Sequence, residues 1–157
     1  MRKAGRQKDA VWALDVFDKA PYVTVSMVRN DGSAYGVPLS LVRKDQATFY
    51  FHCADEGEKV DCIKNNPTVS LSAVSKCTPK YEDEKNNFTE YYNSAMAVGR
   101  AEIVLDKAEK TEALRLLCQR FLPKYMGHFD TAIERSLDRT MVVRITLTEP
   151  PVGKSKP

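Results

Sequence analysis

The chain has 157 residues, 43% hydrophobic and 29% charged, with 24 basic against 21 acidic residues and a net charge of +3. That length suits one domain with a sizeable core, the composition excludes a disordered chain, and so balanced a charge offers no basic stripe for nucleic acid. No apolar run approaches the roughly 18 residues of a membrane span, and the start MRKAGRQKDAV has no apolar export core, so a cytoplasmic protein with no membrane partner is expected.

Residues 9–20 read as a helix, with Val11, Leu14 and Phe17 at helical spacing and Trp12 beside Val16, closed by Pro21 and placed to cap an apolar opening. Residues 22–28 alternate as a strand, and Asn30-Asp31-Gly32 supplies a hairpin turn into a second strand, 34–42. Gly36 and Pro38 inside that strand suit a close approach and a sheet edge. Residues 43–46 turn into a third strand at 48–51, which makes these three a meander. A short helix at 58–65, a strand at 67–74 and a polar, exposed loop at 75–87 follow. In the long strand 88–105, Ala95, Ala97 and Gly99 share one face, small enough to leave room for a planar guest. Asp106 caps a helix at 107–121 with the stripe Leu114, Leu117, Cys118 and Phe121; a short helix at 131–137 and a last strand at 140–147 complete the domain. Six strands with a few helices make an antiparallel barrel of the α+β class, one domain over residues 1–149. The basic stretch 2–8 and the residues 150–157 read as solvated tails.

The chemistry is expected where the pattern switches from strand to helix, in His52-Cys53-Ala54-Asp55-Glu56-Gly57-Glu58-Lys59. Lys59 falls in the first helical turn, where backbone N–H groups lack intrahelical partners and the dipole favours an anion, so a phosphate would fit. Read more plainly, Gly57 is only a turn and Lys59 a solvated charge. Cys53, Cys62, Cys77 and Cys118 form no C-x-x-C pair and read as free thiols; His52 and His128 stand far apart in sequence without clustered carboxylates, so no metal site is expected.

Val37-Pro38-Leu39-Ser40, Phe49-Tyr50-Phe51-His52-Cys53-Ala54, Gly57-x-Lys59, Asn66-Pro67, Tyr92-x-Ser94 and Gly99-Arg100, in that order, resemble the FMN-binding split-barrel flavoproteins related to pyridoxamine phosphate oxidase, and within them the 5-nitroimidazole-resistance branch. The resemblance covers about residues 21–121. It implies a homodimer of six-stranded split barrels with two shared FMN sites. Lys59 matches the phosphate-binding lysine; His52, Cys53 and Ala54 match the strand end along the flavin; Pro38, Leu39 and Ser40 match the strand passing its ring; and Ser94 matches the neighbouring subunit's contact. In that branch the histidine at the position of His52 belongs to the reaction centre. Glu58 departs from the oxidase-type pattern, which carries a basic residue there, and sets like charge near the phosphate unless its side chain turns outward.

A flavin carries the redox chemistry, so the protein need only hold the ring, tune it and admit donor and acceptor. An imidazole exchanges protons near neutral pH, and beside a flavin His52 could protonate a reduced substrate; the plain alternative is a hydrogen bond within the barrel wall. The implied function is an FMN-dependent oxidoreductase acting on a small planar acceptor such as a nitroimidazole. Without a Gly-rich dinucleotide fingerprint, any NAD(P)H binds transiently at the flavin face. The alternative is a non-enzymatic flavin- or haem-binding module.

Overall fold

The computed structural model describes residues 4–156. In chain order it comprises β1 (Gln7–Lys8), α1 (Ala10–Lys19), β2 (Val23–Val28), β3 (Ala34–Leu39), β4 (Val42–Arg43), β5 (Thr48–Cys53), α2 (Glu58–Asn65), β6 (Thr68–Glu82), β7 (Asn87–Ile103), α3 (Lys107–Phe121), α4 (Phe129–Ser136), β8 (Met141–Leu147) and β9 (Val152–Lys156). Two helices start where an aspartate can cap them: Asp9 accepts the Trp12 N–H at 2.8 Å, and Asp106 accepts that of Glu109 at 2.7 Å.

The described strands number nine, not six, and form one antiparallel sheet ordered β3-β2-β6-β7-β8-β5-β4, with β9 pairing β7 and β1. The barrel is not closed, because β3 and β4 end the path without pairing each other. Only Ser40 and Leu41 join those two ends, so the sheet must curl on itself while keeping a gap there. The expected meander therefore fails at its third strand: β5 pairs β4 and β8, at the far side of the sheet from β3.

β5 is apolar on both of its faces because each packs into a different core. Phe49 and Phe51 enter the main core, while Tyr50 between them faces a second core with Leu114, Leu117, Phe129 and Val142. Helix α1 plugs the main core with Ala13, Leu14, Val16 and Phe17. The Phe17 and Phe49 rings meet edge to face at 5.4 Å, each such buried ring contributing about 1.5–3 kcal/mol. Arg120 of α3 locks the two helices together, donating from Nη2 to the carbonyl oxygens of Phe17, Asp18 and Ala20 at 2.9 Å each.

Ala95 and Ala97 do not make room for a planar guest; both are buried in the main core beneath α1. Gly99 is small for a different reason, since a Cβ there would stand 2.9 Å from the Thr146 carbonyl oxygen on β8. The polar stretch 75–87 is not a loop either. It extends β6 and β7 into a hairpin arm, closed by a 3-10 turn at Asp83–Lys85 with Asn86 left-handed at φ 46°. Cross-strand side chains hold it: Tyr91 donates to Glu82 at 2.7 Å, Tyr81 donates to Asn86 at 2.8 Å, and the Tyr81 and Phe88 rings lie 4.8 Å apart.

Nor is the C-terminal stretch a free tail. Residues 152–156 pair with β7, Val152 opposite Met96 and Lys154 opposite Ser94, and Gly153 lets the Trp12 ring lie on the strand. At the other end Gln7 and Lys8 pair with Lys154 and Gly153, so part of the basic 2–8 stretch is also sheet; Arg2 and Lys3 lie outside the described residues. No described helix is long and apolar enough to cross a membrane.

Candidate functional site

Strand β5 delivers His52 to the surface and leaves Cys53 half-buried, and three exposed residues follow before Gly57. Gly57 adopts φ 115° and ψ 171°, a conformation that essentially only glycine holds, and this turns the chain from strand into α2. Gly57 offers no side chain to cap α2, so the first-turn N–H groups of Glu58 and Lys59 remain for a ligand while those of Val60 and Asp61 bond to the Gly57 carbonyl at 2.9 and 3.2 Å. The half-exposed Lys59 ammonium rises from that turn.

The electrostatics of the turn follow from the neighbours of two residues. Burial pushes the Cys53 thiol up; Lys59, close enough to oppose this, does not overcome it, and Asp55 adds to the rise. Cys53 is thus a poor thiolate and acts as packing against the main core. Glu58 turns toward the β2–β3 hairpin, where its carboxylate pairs with the Arg29 guanidinium. Arg29 also lies over the Tyr35 ring at 4.8 Å and donates to the Ala34 carbonyl at 2.9 Å, which holds the pair against the β2–β3 hairpin. Its charge answers that of Glu58 from 29 residues away in sequence.

Of the residues singled out in the sequence, Lys59 and the exposed Ala54 belong to the turn, and the others fall into three places. Ser40, in the gap between β3 and β4, and His52 line one cavity of about 410 Å³. Leu39 and Cys53 pack on the main core behind them. Pro38 and Ser94 instead lie on the outer face of the sheet, along the row Pro38, Thr24, Ser72, Met96 and one pair beyond it, where Ser94 faces Val74. Ser94 does not line the cavity. Nine residue steps along β7 lead from it to Ile103, whose partner Val143 also pairs Phe51, on the order of 30 Å of strand. That outer face carries small or flat groups, Gly36, Ser26, Ser70 and Ser72, with Met96 and Val74 exposed at 56% and 48%.

The cavity holds what the sequence reading missed. Its walls come from α3, the 3-10 segment Pro123–His128 and α4, including Leu117, Phe121, Met126 and Ile133, and both histidines of the chain meet there. The stripe on α3 was legible, but it continues past what the barrel covers: Phe121, Leu122 and Tyr125 are 36%, 53% and 62% exposed. That surplus was the available signal.

Comparison with known proteins agrees with this architecture. A family model described as pyridoxamine 5'-phosphate oxidase matches residues 8–152. Among solved structures, a candidate 5-nitroimidazole antibiotic resistance protein from Bacteroides thetaiotaomicron is similar at TM-score 0.79 and 21% identity, with 95% of this chain and 88% of that one covered. The flavocytochrome Anf3 from Azotobacter vinelandii is similar at 0.80 and 20%, covering 100% and 72%. The FAD and haem binding protein from Mycobacterium smegmatis is similar at 0.78 and 19%, covering 96% and 73%. Comparison with curated protein sequences gives no match. With the family model spanning nearly all of its strands and helices, the chain belongs to the pyridoxamine 5'-phosphate oxidase family.

Proposed function

We propose that the protein is an FMN-dependent oxidoreductase, active as a homodimer, that reduces a small planar acceptor such as a nitroimidazole with electrons from a transient donor such as NAD(P)H. One observation carries the reading: an uncapped helix start with Lys59 in its first turn, set by a glycine-only conformation at Gly57, follows His52 of the cavity edge by five residues along the chain. Two free N–H groups and an ammonium suit a phosphate monoester, and Arg29 offsets the Glu58 charge that would oppose it. The residues present therefore fit the FMN phosphate. Family membership and flavin-binding relatives support the same reading.

When bound, FMN supplies the electron transfer. Lys59 and the first turn of α2 would hold the phosphate, Ser40 and His52, which line the cavity, would flank the ring, and His52 would give or take a proton at its imidazole. Pro38 and Ser94, on the outer face, would meet the cofactor of the second copy, so that each site would take its turn from one chain and its serine from the other. The flat outer face, with exposed Met96 and Val74, suits the seating of that copy.

The test is to load the purified chain with FMN, identify the retained ligand by mass spectrometry, reduce it anaerobically with NADPH and add a nitroimidazole. Bleaching followed by reoxidation supports the enzyme; colour without turnover supports a flavin-binding module; no retained FMN overturns the reading. His52→Ala should keep the flavin and slow turnover on the order of 100-fold or more.

A further inference from the structure

We infer that the cavity between α3 and α4 is a binding site for an uncharged, apolar ring compound, with His52 and Ser40 at its sheet-side edge. As a statement about the substrate class, this rests on the flavin reading above; as a statement about binding, it stands on the cavity alone. The cavity's volume of about 410 Å³ lies within the range of small-molecule sites, roughly 300–1,000 Å³. No lysine, arginine, aspartate or glutamate is among its described lining residues. In a protein 29% charged, that absence decides the chemistry of the occupant, because a charged ligand would lose its hydration with no opposite charge to meet it.

The lining also favours a ring. Phe121, Tyr125 and Phe129 offer aromatic surfaces, and Met126 and Cys118 offer polarisable sulfur, both of which contact ring edges and faces well. Polar groups are few: His128, Ser136 and Thr140 on the helical side, and the exposed His52 and Ser40 at the gap in the sheet. This pattern, an apolar body with a few hydrogen-bonding groups, orients a ligand without demanding charge. Phe129 is the buried anchor of the wall, 4% exposed, held beneath the Arg115 guanidinium at 4.2 Å. That contact holds Phe129 in place in the wall.

The experiment uses the full chain, with and without FMN, and two probes of like size, neutral 4-nitrotoluene and anionic 4-nitrobenzoate, measured by equilibrium dialysis. The neutral probe should bind at least tenfold more tightly. Ala132→Trp, an exposed lining position on α4, fills the cavity and should weaken 4-nitrotoluene tenfold or more while thermal unfolding and FMN titration stay as in wild type. Ser136→Phe, one turn along, repeats the test should the first variant fold poorly. Binding of the neutral probe that both variants leave unchanged, or tighter binding of the anion, overturns the inference. So does a dimer that dissociates in Ala132→Trp, since the cavity would then be covered by a second copy. Probe binding that Ala132→Trp abolishes in a protein that retains no FMN upholds the cavity and removes the flavin reading instead.

Discussion

Gly57→Ala isolates the strand-to-helix turn from the rest of the fold. The residue sits at φ 115° and ψ 171°, and a Cβ added there meets nothing within 4 Å, so the substitution causes no collision and its cost is that of the backbone alone. For a residue other than glycine that cost is about 1–3 kcal/mol. Residues 54–58 are exposed, so the free protein can relax the turn and lose little global stability. A ligand gripped by the first-turn N–H groups needs the strained form, and the cost then appears in binding. At 1.4 kcal/mol per tenfold, FMN should bind roughly 5- to 150-fold more weakly. Flavin-fluorescence titration measures this, and Gly32→Ala is the control: φ is 84°, again with nothing within 4 Å, but the position is a hairpin tip. Wild-type affinity in Gly57→Ala, or equal losses in both variants, would refute the assignment of the turn as the phosphate cradle.

Other perturbations follow from the same structure. Glu58→Gln should change FMN affinity by less than about threefold at physiological salt, because Arg29 already answers the carboxylate and the exposed pair is screened by solvent; a tenfold gain would mean that Glu58 faces the phosphate. Gly153→Ala sets a Cβ 2.4 Å from Trp12 Cε3 and 3.0 Å from Lys8 Cβ, so β9 and β1 should loosen at a cost of about 1–3 kcal/mol, roughly 2–12 °C in Tm; an unchanged Tm would show that residues 152–156 are not docked as a strand. Burial raises the Glu109 carboxyl, but hydrogen bonds from Tyr50 and Arg144 at 2.8 Å outweigh it and hold the group below its ordinary 4.5. Its contribution to stability is thus complete above pH 4.5 and is lost as pH falls through the lower folded value, so Glu109→Gln should flatten the fall of Tm below pH 4.5, and an unaltered acid limb would contradict this.

Sequence patterns revealed elements whose stability is local or apolar. Helices α1 and α3 announce themselves through Asp9 and Asp106 and through stripes that bury Phe17 and Leu117, and α2 begins at its glycine. The hairpin arm was hidden because Tyr81, Glu82 and Tyr91 hold it by polar cross-strand contacts, which carry no hydrophobic period. β9 was hidden because a strand reading Val-Gly-Lys-Ser-Lys is polar, and what docks it is a contact between Gly153 and a tryptophan on α1. The turn of the candidate site was legible for the same reason as α2, since glycine before a helix has few other uses. The cavity was not: His52 and His128 are brought together only when surplus apolar residues of α3 and α4 fold back over the end of β5.

The central claim is that each FMN site is built from two chains, and complementation tests it most directly. Lys59→Ala removes a charge from the turn, and Ser94→Phe adds bulk on the outer face of the sheet. Either variant alone should bind FMN poorly, because both sites of its homodimer carry the same defect. In a mixed dimer the intact turn of one chain meets the intact serine of the other, leaving one site whole. Unfolding and refolding the two variants together, with random pairing about a two-fold axis, should restore about a quarter of the FMN sites. No recovery, in mixed dimers verified by pulldown through two different tags, would place both residues in one chain's site and contradict the shared-site account.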